Sequence, residues 1–148
     1  TDYAVAIFYE AVARRRYTCF VREDTVLPMM YMPDCIRATI ALMEADRCAL
    51  RHPTEYNLAG MSFSAGELAA EIRRHLPDFV CEFVPDHRQA IADSWPRSID
   101  DSAAREDWGW RPQYDLARMT ADMLRVLTRR HEEGRLQLVS IEGEGQGR

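Results

Sequence analysis

The chain has 148 residues, 47% of them apolar and 29% charged, which suits one globular domain with a core of its own. Its net charge is −5 and it carries no basic footprint for nucleic acid. All 19 of its Lys and Arg residues are arginine, so a Schiff-base lysine, a P-loop lysine and a Tyr-x-x-x-Lys proton relay are excluded from these residues.

Asp2 is placed to cap a helix over Tyr3 to Arg15, where Ala4, Phe8, Ala11 and Val12 recur at helical spacing. Tyr17 to Val21 reads as a strand, residues 22–25 as a turn, and Leu27 to Met32 as a second extended run. Pro33 suits the first turn of a helix reaching about Ala45, with Ile36, Ile40 and Met43 on one face. After a polar loop, Thr54 to Ala59 is expected to be a short strand closed by Gly60. Ser64-x-x-Glu67 is a capping box, in which each side chain satisfies the other's backbone N–H. Its helix carries Leu68, Ala69, Ile72 and Leu76 and stops at Pro77. Phe79 to Val84 alternates like a half-buried strand, whereas 85–99 has no clean period. Ser102 to Trp108 reads as a short helix stopped by Gly109. Leu116 to Arg130 reads as a last helix with Leu116, Met119, Met123 and Leu127 facing inward, ended by Gly134. Strands and helices alternate, so the class is α/β or α+β.

No apolar run approaches the roughly 20 residues of a membrane span, and the first residues, Thr1 to Ala4, carry no basic or apolar signal region, so no signal segment is expected among these residues. Cys19, Cys35, Cys48 and Cys81 form no C-x-x-C pair. They are expected to be reduced thiols of a cytoplasmic protein. His52, His75, His87 and His131 share no metal-ligand spacing, and no metal site is expected. Asp100 and Asp101 read as helix-capping groups ahead of an acid/base pair. Thr1 and Asp2 at a helix start could hold an anion or simply cap the helix. Trp95, in the irregular 85–99 segment, either plugs the core beneath it or walls a pocket. Trp108 and Trp110 are expected to pack around the Gly109 stop.

Several runs together carry a resemblance. They are Thr1 to Val5, Leu27 to Met32, Tyr56 to Phe63, Arg88 to Pro96, Ser98 to Asp101 and Asp107 to Trp110. The series resembles the C-terminal half of the short-chain type of NAD-dependent L-threonine 3-dehydrogenase, within the extended short-chain dehydrogenase/reductase family. The Ala90 to Pro96 run favours that group over the related nucleotide-sugar epimerases. The resemblance covers about residues 1 to 130. It implies an α/β fold: a substrate lobe with edge elements of a Rossmann-type domain whose dinucleotide-binding part is not here. Residues 1–131 would be the substrate-binding portion, and 132–148 a disordered tail. NAD and the catalytic Tyr and Lys would belong to the N-terminal half, so the chain by itself is expected to be inactive. Thr1, Trp95 and Met30 would line a pocket for L-threonine, and a homodimer is compatible with the family. The competing expectations are the matching lobe of an epimerase or dehydratase, and a free-standing binding module.

Overall fold

The structure is a computed structural model that describes residues 2–52 and 55–137. Helix α1 (Tyr3–Arg14) begins at Asp2, whose carboxylate accepts the Ala4 N–H at 2.9 Å. Arg15 takes a left-handed φ of 57°, which ends the helix and turns the chain into β1 (Arg16–Cys19). Then come β2 (Val26–Met29), α2 (Met32–Glu44), β3 (Met61–Ser64), α3 (Ala65–His75) and β4 (Val80–Phe83). The last three helices are α4 (Arg88–Asp93), α5 (Ser102–Trp108) and α6 (Leu116–Glu132). The strands form two small sheets. β1 runs parallel to β4 with Arg16 opposite Val80, and β2 runs antiparallel to β3 with Val26 opposite Ser64.

The main core lies between α1, β1, α3 and α6. Tyr3, Ile7, Phe8 and Val12 of α1 meet Tyr17 and Cys19, then Leu68 and Ile72, then Met119, Leu124 and Leu127. The inward face expected for α6 is present, with Leu124 added to it and Leu116 and Met123 only partly buried. A second cluster joins Ala38 of α2, Ala104 of α5 and Trp110, with Met30, Tyr56, Leu58 and Trp108 packed on it. As expected, Gly109 stops α5 with φ 73°, and the capping box at Ser64 and Glu67 has both of its hydrogen bonds.

One element differs from expectation. The strand after the polar loop is Met61–Ser64, and residues 55–59 of the expected 54–59 strand are not extended into a ladder. A strand needs a ladder, and β2 takes its partner from the later segment, with Leu27 opposite Phe63 and Met29 opposite Met61. Tyr56 to Gly60 is committed elsewhere: the Ala59 carbonyl accepts the Trp110 indole N–H at 3.1 Å. Gly60 lies so close to β2 that a Cβ there would sit 2.7 Å from the Met29 carbonyl oxygen. In α2 the apolar stripe of Met32, Ile36, Ile40 and Met43 is exposed, as a helix whose covering portion is not here should be. The helix buries Asp34 and Ala38 instead. Thr54 and residues 138–148, with most of the expected tail, lie outside the described residues. Among the described residues no helix is long and apolar enough to cross a membrane.

Asp34 is only 1% exposed, yet it is fully engaged. It accepts the N–H groups of Gln113 and Tyr114 at 2.9 and 3.0 Å and pairs with Arg37 at 2.8 Å. Removing it leaves two partly buried backbone donors without their acceptor. Asp34→Ala is expected to lower the urea unfolding free energy by roughly 2–3 kcal/mol. A loss within error would show that the carboxylate does not tie α2 to the segment before α6.

Candidate functional site

A cleft of about 480 Å³ opens where four segments converge. Asp2 and Tyr3 come from the start of α1, and Phe20 and Val21 follow β1. Leu27, Pro28 and Met29 come from β2, and Arg88, Ile91, Ala92 and Trp95 come from α4 and its end. The walls are mostly apolar. Tyr3 and Phe20 meet edge to face at 6.1 Å, and the Arg88 guanidinium lies 3.3 Å from the Phe20 ring centre. Asp86 holds Arg88 there, accepting its Nε at 3.0 Å and its backbone N–H at 2.8 Å.

The sequence-derived candidates separate here. Trp95 is 59% exposed and lines the cleft, so it does not plug the core. Met30 does not line it. Successive side chains of an extended segment point to opposite faces, so Met29 faces the cleft while Met30 packs toward Trp110. Thr1 lies outside the described residues, and its neighbour Asp2 lines the cleft. Asp100 and Asp101 do not act as a pair. Asp100 accepts the Ser102 N–H at 2.9 Å, and Asp101 accepts Arg105 Nε at 2.6 Å. Sequence reasoning missed Phe20, Met29 and the Arg88 stack. Arg88 and Gln89 sit in a segment with no period, because a six-residue helix is too short to show one.

The cleft's chemistry is that of binding. Burial pushes the Tyr3 hydroxyl well above its ordinary pKa, so at neutral pH it is a protonated phenol. The side-chain hydrogen bond from Arg88, with its backbone N–H, draws Asp86 from 3.8 down to about 2. No described group in the cleft is an activated base or nucleophile, and among the described residues no His/Cys/Asp/Glu cluster could hold a metal. The four cysteines are free.

The described residues do not fit a dinucleotide. The strand-to-helix turn with a glycine is at β3–α3, but a Cβ on Gly66 would meet Glu23 Cγ at 2.5 Å. The Gly66 N–H donates to the Glu23 carbonyl at 2.9 Å, and Ser64 accepts the Glu67 N–H. Those donors are spent within the protein, and the groove beside them carries the carboxylates of Glu23, Asp24 and Glu67 against one cation, Arg22, which is paired with Asp93.

Asp86 gives a direct acid test. Its folded pKa is depressed, so the stability it lends is present above about pH 4 and is lost as pH falls through about 2. The Asp86 carboxyl carbon resonance is expected to titrate with a midpoint near 2, and Arg88→Met should return it toward 3.8. A wild-type midpoint near 3.8 would break the link between Arg88 and Asp86.

No protein-family model matches the chain. It is 49% identical over 133 residues to an uncharacterized epimerase/dehydratase of Staphylococcus haemolyticus, covering 89% of this chain and 42% of that protein. It is 50% identical over 125 residues to the mitochondrial L-threonine 3-dehydrogenase of Bos taurus, covering 84% of this chain and 33% of that one. The solved apo form of a GalE-like L-threonine dehydrogenase from Cupriavidus necator superposes with a TM-score of 0.82 at 59% identity, covering 85% of this chain and 45% of that chain. The chain therefore spans less than half the length of each of these proteins, and the shared portion is their C-terminal part.

Proposed function

We propose that this chain, which matches the C-terminal part of L-threonine 3-dehydrogenases, belongs with them to the extended short-chain dehydrogenase family, and that residues 1–131 are the substrate-side lobe of such an enzyme. The observation that carries this reading is the cleft walled by Trp95, in a chain 50–59% identical to threonine dehydrogenases. The reaction would be oxidation of the L-threonine 3-hydroxyl to 2-amino-3-oxobutanoate. NAD and the Tyr/Lys pair would come from a dinucleotide-binding portion outside these 148 residues. This lobe would hold the substrate and keep water out. Within it, Thr1 and Trp95 are the proposed substrate contacts, and Met30 would act only indirectly, from behind β2. The free cysteines agree with a cytoplasmic setting. An epimerase lobe fits the cleft less well. A nucleotide diphosphate needs free cations, and the one arginine lining this cleft is already paired with Asp86.

The exposed stripe of α2 supports the same reading, because its apolar residues are those a missing portion would cover. The isolated chain is expected to associate, giving a light-scattering mass above 17.1 kDa that rises with concentration. A monomer at high concentration would remove that support.

The decisive experiment grafts residues 1–131 onto the N-terminal portion of the Cupriavidus enzyme. Threonine-dependent NADH formation is expected from the graft and none from the 148-residue chain. Trp95→Ala in the graft should lower kcat/KM for threonine by roughly tenfold, about 1.4 kcal/mol of transition-state binding, and should leave NAD affinity unchanged. A graft that folds and binds NAD yet ignores threonine would defeat the proposal.

A further inference from the structure

Gln89 is 7% exposed although it stands on a short surface helix. Its Oε1 accepts the Arg22 backbone N–H at 2.7 Å. Its Nε2 donates to Asp93 at 2.7 Å and to the Thr25 hydroxyl at 3.1 Å. The amide has one orientation that satisfies this set, because a backbone N–H only donates and a carboxylate only accepts. Asp93 closes the circuit by accepting the Arg22 guanidinium at 2.8 Å. Hydrogen bonds from Arg22 and then from Gln89 lower the Asp93 pKa, so the carboxylate is charged at neutral pH.

This circuit fastens α4 to the turn between β1 and β2. Ser94 and Trp95 follow α4 directly, their N–H groups donating to the carbonyls of Ile91 and Ala92. Trp95 is thus referenced to α4, and α4 is referenced to the turn that leads into Leu27 and Met29 on the opposite wall. With more than half of Trp95 exposed, packing alone does not hold it.

We infer that Gln89 is the positioning residue of the cleft: acting with Asp93 and Arg22, it sets how far Trp95 stands from β2 and so how large a substrate side group the cleft admits. The substrate half of this inference rests on the proposed threonine reading, whereas the clamp itself does not.

The clamp is tested on the 148-residue chain by acrylamide quenching of Trp95, taken as the difference from a Trp95→Phe chain. Trp110 is buried and Trp108 half-buried, so the difference reports the exposed indole. Gln89→Met and Asp93→Ala each remove more than one hydrogen bond and should shift the 94–97 segment toward a released form by at least roughly fivefold, the effect of a single net hydrogen bond. Each would raise quenching. Gln89→Glu should do the same by setting two carboxylates together. Gln89→Glu combined with Asp93→Asn exchanges donor and acceptor and should restore quenching toward wild type. Asp93 is half exposed, so Asp93→Ala carries the test even if Gln89→Met fails to fold. Unchanged quenching in Asp93→Ala, or no recovery in the double variant, overturns the clamp.

In the grafted enzyme, Asp93→Ala is expected to raise KM for threonine more than it lowers kcat. If Trp95→Ala changes threonine kinetics and Asp93→Ala does not, the specificity role is overturned. If quenching behaves as stated while Trp95→Ala leaves threonine kinetics unchanged, the substrate reading fails and the clamp stands.

Discussion

The packing of α1 against β1, α3 and α6 constrains the rest of the molecule. Seven of its twelve residues are buried, and three of those are alanines, which let the facing elements approach its backbone closely. Two parallel strands of four residues cannot bury their own faces, so β1 needs that helix as a floor. The left-handed turn at Arg15 then fixes where β1 starts relative to α1. From this joint Phe20 and Val21 leave the strand beside Asp2 and Tyr3, and one side of the cleft is in place. The other side depends on how β2 and α4 are brought up to it.

The second cluster works on a different principle. It is small, and a buried carboxylate organises it as much as apolar area does. Asp34 satisfies two backbone N–H groups in the segment before α6, and Arg37 from the next turn lies 4.7 Å from the centre of the Trp110 ring. Trp110 in turn donates to Ala59, so α2, α5 and the 56–60 segment are linked by polar contacts of defined geometry. A helix held this way need not spend its hydrophobic stripe on its own lobe. Met32, Ile36, Ile40 and Met43 are therefore left outward.

How much of this could be read from the residues depended on whether a signal was local. The capping box at Ser64, the Gly109 stop and the inward face of α6 each need only a few neighbouring residues, and each is where its pattern puts it. The strand at Met61–Ser64 was not legible, because pairing with β2 is a long-range event and Tyr56 to Ala59 has an equally good strand composition. The same limit separates Met29 from Met30. Which of two adjacent methionines faces a cleft is set by strand register, and a slip of one residue reverses it. The α2 stripe was legible as a face, since periodicity identifies a face but not what covers it. Trp95 was legible as a candidate because an indole in an aperiodic segment demands an environment, yet the clamp beneath it was not. Gln89 meets Arg22 and Thr25 across more than sixty residues of chain.

The absence of lysine takes its meaning from the cleft. A lobe that carried proton chemistry would place a titratable group with a pKa near neutrality against the substrate space. Here the nearby groups are driven the other way. Tyr3 is held as a neutral phenol by burial, Asp86 is held as an anion by Arg88, and that arginine is turned onto Phe20. The Arg88 and Asp86 charges answer each other within the protein, so the field at that end of the cleft is nearly fixed across the physiological pH range. Such a surface suits a wall that shapes and dries a site while the reactive groups stand opposite. The same pairing explains why precision at Trp95 matters. A wall without reactive groups contributes only through where it stands, and its position is decided by the hydrogen-bonded circuit of Gln89, Asp93 and Arg22 behind it.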